Sequence, residues 1–130
     1  LCCADVAVPV GKLVYTQWLN ERGGIEADLT VVKMGEAEFM IATPCGSHVK
    51  DWSWLLSHVG QEEDIEITDI TEDFGVIALQ GPNARAVFLS MTEEDLSNEQ
   101  FTFGTGRWMI AGGVRLWAQR ISYVGELGWE

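Results

Sequence analysis

Hydrophobic and polar positions along this chain repeat with a period of two in several stretches and with a helical period in two others. Residues 12–19 are rich in β-branched and aromatic side chains after Pro9, Val10 and Gly11, and read as a strand. Residues 20–24 contain Asn20, Gly23 and Gly24, which suit a tight reversal. Residues 25–34 then alternate: Ile25, Ala27, Leu29 and Val31 point one way, and Glu26, Asp28 and Thr30 the other. A short strand over 38–42 follows the Gly35–Glu36 turn. Ser47 is placed to cap a helix through residue 59, with Val49, Trp52, Leu56 and Val59 as its buried stripe. Residues 65–71 and 74–80 read as paired strands. Gly81 and Pro82 open a second helix, with proline at its first position, that buries Ala84, Val87, Phe88 and Met91. Thr92 to Asp95 suits a third helical start, and residues 107–110 and 114–123 form a hairpin about Gly112 and Gly113.

The sum is an α+β fold, mostly antiparallel sheets with two or three flanking helices. At 130 residues the chain has the size of one domain, and no repeat, linker or second-domain boundary interrupts it. No apolar run reaches the roughly 20 residues of a membrane span. The formal charge of -12, with 8 scattered Lys and Arg, argues against a surface that tracks nucleic-acid phosphates. Cys2, Cys3 and Cys45 offer neither a disulfide framework nor a CxxC pair for zinc, and read as reduced thiols in an intracellular compartment. His48 and His58 lack clustered ligands, so no metal site is expected. Glu62, Glu63 and Asp64 read as a solvated loop, and the six tryptophans mainly as core. Gly104-Thr105-Gly106 lacks the helix and lysine of a phosphate loop.

Two segments carry candidate chemistry. In the first, a turn centred between Glu21 and Arg22 would set Tyr15 opposite Asp28, so that a phenol and a carboxylate share one face. A register shifted by one residue would separate them. On the residues alone, Asp28 is either a functional acid or part of a solvated strand face beside Glu26 and Thr30. In the second, Tyr123-Val124-Gly125-Glu126-Leu127-Gly128-Trp129-Glu130 reads as a strand end running into a glycine-punctuated turn that closes on a carboxylate.

Together these segments resemble the folate-binding aminomethyltransferase family, which comprises the glycine cleavage T-protein and the C-terminal halves of dimethylglycine and sarcosine dehydrogenases. The closing segment is similar to the family signature Tyr-Thr-Gly-Glu-x-Gly-x-Glu, with Val124 in place of Thr. Asp5-Val6 followed by Val10-Gly11, Val14-Tyr15-Thr16 and the run from Leu79 to Arg85 also resemble family landmarks. Ala27 before Asp28, where T-proteins usually carry a second acid, and Leu127 at a common Asp position resemble the dehydrogenase branch.

The resemblance implies a partial T-protein-like domain over residues 1–130 that binds tetrahydrofolate. Asp28 would be the catalytic carboxylate, stabilising a cation and assisting proton transfer. Tyr15, Tyr123 and Glu130 would hold the pterin together with Asp28, Glu130 by a bidentate match to its N–H groups. The two acids are expected to meet at one pterin-sized hollow. The parent would oxidise an N-methylated glycine with FAD in an upstream domain and capture the one-carbon unit on folate. The abrupt ends at Leu1 and Glu130 read as those of a piece of that parent, inactive alone, binding folate weakly or not at all, and able to self-associate through exposed sheet edges. No nucleic-acid or membrane partner is expected. The location implied is cytoplasmic, or the mitochondrial matrix in a eukaryote. A stand-alone glycine cleavage aminomethyltransferase and a non-catalytic regulatory relative are the competing readings.

Overall fold

The computed structural model describes residues 1–60 and 64–130. Glu62 and Glu63 of the expected solvated loop lie outside the described residues. The chain forms two compact units. One comprises Leu1–Val10 and Val14–Phe74; the other comprises Gly11–Leu13 and Gly75–Glu130. The class is α+β: the β2–β3, β4–β7 and β5–β6 pairs are antiparallel, and the described residues hold two α-helices.

In the first unit, strands β1 (Leu13–Leu19), β2 (Ile25–Gly35) and β3 (Glu38–Ala42) form a sheet in that order. Asn20 builds the turn between β1 and β2. Its carbonyl accepts from Gly23 N at 2.9 Å and its side-chain Oδ1 accepts from the backbone N–H of Arg22 and Gly24. The amide end of the same side chain donates to Glu26 Oε1 at 2.8 Å. Alternation along β2 sorts its faces as expected, with Ala27, Leu29 and Val31 buried against Trp18.

A 3₁₀ turn, Cys45–Ser47, leads into helix α1 (His48–Ser57). This helix differs from expectation in two ways. Ser47 makes no capping bond to the helix backbone; its hydroxyl donates to Pro44 O and to Asp51 Oδ2. The expected stripe also holds only in part, since Trp52 and Val59 are half-buried but Val49 and Leu56 are exposed, whereas Trp54 and Leu55 pack on the core and Asp51 is buried. The buried carboxylate is tolerated because Ser47 satisfies one oxygen and the Lys50 ammonium stands 3.5 Å from the other.

The second unit is built around hairpin β5 (Thr105–Ala111) and β6 (Val114–Arg120). Gly112 and Gly113 turn it at φ +58° and +77°, a conformation that L side chains rarely adopt. Strand β4 (Leu79–Gln80) pairs with β7 (Gly128–Trp129), and helix α2 (Ala84–Leu89) lies between them in sequence. Ala84, Phe88, Leu96, Phe101, Met109, Ala118 and Trp129 form the core.

Three expectations fail here, each for its own physical reason. Residues 65–71 and 74–80 do not pair with each other: only Leu79 and Gln80 are in a strand, and their partner is β7. Apolar alternation supplies strand propensity but does not choose a partner. Helix α2 starts after Asn83, so Pro82 precedes its first turn; it buries Ala84 and Phe88 but leaves Val87 exposed, as is Met91 beyond its end. Thr92 to Asp95 begins no helix: the Thr92 hydroxyl accepts from Glu94 N and donates to Ile110 O, which spends the would-be cap on a turn.

Candidate functional site

Asp28 and Tyr15 lie together on the solvent-facing side of the β1–β2 ribbon, opposite the face that buries Thr16, Trp18, Ala27 and Leu29. Asp28 accepts hydrogen bonds from the Tyr15 phenol and from Gln17 Nε2, the latter at 3.0 Å. These two donors, the phenol first, hold the Asp28 carboxyl below its ordinary value of 3.8. An exposed carboxylate so held is anionic throughout the neutral range. It is therefore better suited to stabilising positive charge than to taking up a proton.

Gln17 was not among the expected residues. It carries no titratable group, and the signal that could have found it is its place two positions from Tyr15 on the same strand face. A cavity of about 400 Å³ in this unit, lined in part by Trp18, Val31, Trp52 and Leu55, includes neither Asp28 nor Tyr15 among its lining residues.

Glu130 belongs to the second unit and is exposed. Its backbone is fixed by a reciprocal pair with Gln119: Glu130 N donates to Gln119 O at 2.9 Å and Gln119 N to Glu130 O at 2.7 Å. Gln119 Nε2 also donates to Glu130 Oε2 at 3.3 Å. The preceding residue is a strong anchor. Trp129 is buried edge-on against Phe88 and Phe101, and the Arg85 and Arg120 guanidiniums lie 5.8 and 5.6 Å from its ring centre. Gly128 is needed because β4 runs so close: a Cβ there would stand 2.8 Å from Leu79 O and closer still to the Gln80 side chain.

Tyr123 is 98% exposed and lies in the connection between β6 and β7. Gly125 turns this connection at φ +90°, with Gly125 N donating to Ser122 Oγ and Val124 N to Glu126 Oε2. The structure thus brings Tyr15 to Asp28 within the first unit and fixes the backbone of Glu130 within the second, while the Tyr123 ring projects into solvent. Among the described residues, no group of three or more His, Cys, Asp and Glu side chains could hold a metal ion, and no helix is long and apolar enough to cross a membrane.

Residues 1–130 match the family described as GCVT N-terminal domain. The chain is 38% identical to mitochondrial sarcosine dehydrogenase of Homo sapiens, over all of this chain and 16% of that protein. It is 39% identical to mitochondrial dimethylglycine dehydrogenase of Rattus norvegicus, over 98% of this chain and 15% of that protein. An aminomethyltransferase of Listeria monocytogenes serotype 4a (strain HCC23) is 32% identical over 95% of the chain and 33% of its own length. The chain therefore spans about one sixth of the dehydrogenases it is similar to.

Proposed function

The chain belongs to the GCVT N-terminal domain family, and on that premise we propose that it is the tetrahydrofolate-binding part of a dimethylglycine- or sarcosine-dehydrogenase-like enzyme. The observation that carries this reading is the exposed Asp28 carboxylate on the β1–β2–β3 sheet, which accepts hydrogen bonds from Tyr15 and Gln17. Tetrahydrofolate, when bound, would supply two nitrogens that accept a one-carbon unit, one in the reduced pterin ring and one outside it. Asp28 lends negative charge where that transfer develops positive charge, while Tyr15 holds its carboxyl group in place. Tyr123 offers an aromatic surface and Glu130 a carboxylate able to accept two N–H groups of a pterin. These side chains fit such a ligand chemically: both acids are exposed, and the Tyr15 and Gln17 donors favour the charged form of Asp28.

In the parent protein, an FAD-bearing domain would oxidise an N-methylated glycine and hand its one-carbon unit to this domain. The dehydrogenase relatives, which cover nearly all of this chain at 38% and 39% identity, support that context. Their mitochondrial names support a matrix location for a eukaryotic parent. Self-association through the outer edge of β3, which pairs with no further strand among the described residues, belongs to the same reading. A stand-alone aminomethyltransferase is the second reading, favoured by the Listeria relative.

The test is Asp28→Asn in the full-length protein, with methylene transfer to tetrahydrofolate as the readout. Loss of a preorganised charge is expected to slow transfer by about 100-fold. Unchanged transfer rejects the assignment.

A further inference from the structure

Each carboxylate of the proposed folate set is met by a glutamine from a neighbouring strand. Gln17 on β1 donates to Asp28 Oδ1 at 3.0 Å, and Gln119 on β6 donates to Glu130 Oε2 at 3.3 Å. The chemistry fixes the orientation of the second amide. Turning it over would set its Oε1 against the carboxylate, oxygen facing oxygen. As it stands, that Oε1 is buried without a hydrogen bond, so the amide accepts an unsatisfied atom in order to present its N–H₂ to Glu130.

We propose that Gln17 and Gln119 are positioning residues for the folate site. Each fixes the rotamer of one carboxylate from the adjacent strand and leaves its charge intact. The inference rests on the assignment of Asp28 and Glu130 made above. A neutral amide is the suitable donor for this task. Lysine or arginine in its place would neutralise the carboxylate and compete with the cationic or N–H partner it has to meet. The amide occupies one lone pair of the carboxylate, and at Asp28 the Tyr15 phenol occupies another, which leaves further lone pairs for a ligand.

The backbone reinforces the arrangement. Gln119 and Glu130 exchange both main-chain hydrogen bonds, so the amide and the carboxylate are carried on one fixed pair of residues, and buried Trp129 locks the strand beside them. In the other unit, Gln17 shares its strand face with Tyr15, and the two donors together account for the lowered Asp28 carboxyl.

The two glutamines should separate kinetically in the full-length protein. Gln17→Leu is expected to lower kcat for methylene transfer by about 5–10-fold with the tetrahydrofolate KM unchanged, because Asp28 acts on the reacting atoms. Gln119→Leu is expected to raise that KM by about 5–10-fold with kcat unchanged, because Glu130 acts in binding. Placed in the Asp28→Asn background, Gln17→Leu should add no further loss, whereas independent structural damage would add. Melting curves check that each variant is folded. If Asp28→Asn and Glu130→Gln are themselves silent, the folate assignment falls and this inference with it. If those two impair the enzyme but the glutamine variants are silent, or move kcat and KM together, the positioning inference alone is overturned.

Discussion

Asp28 is a surface carboxylate to which a phenol and an amide both donate from the neighbouring strand. The sign of the consequence is fixed. Its folded-state carboxyl lies below the ordinary 3.8, so the contacts stabilise the fold above that value, and the contribution fades as pH falls through the depressed one. Tyr15→Phe should therefore raise the Asp28 carboxyl toward its ordinary value, and by more than Gln17→Leu does, because the phenol is the larger cause. A carboxyl-carbon NMR titration reads both shifts directly; an Asp28 unmoved by Tyr15→Phe would remove the phenol from the site. At this scale the sequence was informative where residue type announces chemistry. Tyr15 and Asp28 could be paired from strand alternation and a plausible turn. Gln17 shares the strand face of Tyr15, but that signal is weak, since a glutamine on a strand face is ordinarily a solvated side chain.

Among the elements, the strands bounded by strong turn chemistry were legible and those lacking it were not. β1, β2 and the β5–β6 hairpin follow from Asn20 and from Gly112–Gly113, which fix where the chain reverses and hence which strands are neighbours. The stretch before β4 alternates just as well yet joins no strand, and β4 itself pairs over a long range, with Leu79 meeting Trp129. Helix α1 shows a different ambiguity. Its sequence carries apolar side chains on two faces, and the one that packs is the one that also buries Asp51. No rule that sends carboxylates outward could have chosen it; the Ser47 and Lys50 contacts make it tolerable. The assignment of faces has a direct stability consequence. Leu55→Ala should cost about 2 kcal/mol, the lower end for a core leucine because Leu55 is only partly buried. Val49→Ala, at an exposed position, should change stability by less than about 0.5 kcal/mol. Urea denaturation of the two variants decides between the faces, and the reverse ranking would restore the stripe read from the sequence.

For the molecule as a whole, the dominant physical quantity is the formal charge of -12. Tetrahydrofolate carries a glutamate tail and is itself an anion, so the field of the chain opposes the approach of the ligand we assign to it. On the proposed assignment the local chemistry and the global field pull in opposite directions: Asp28 and Glu130 would meet the pterin ring, while the surplus of acids disfavours the tail. Two of the few cations, Arg85 and Arg120, are already engaged, sharing Asn98 Oδ1 as acceptor and lying over Trp129. The balance can be measured through screening, because the Debye length shrinks from about 30 Å at 0.01 M salt to about 10 Å at 0.1 M. Calorimetric titration of the 130-residue chain should accordingly show weak binding of tetrahydrofolate that strengthens as salt is raised across this range. A reduced pterin without the glutamate tail should show a much smaller salt dependence, since only the ring contacts remain. Low-micromolar affinity that weakens with salt would mean that a local cationic surface overrides the net charge, and the electrostatic part of the assignment would then have to be rebuilt around that surface.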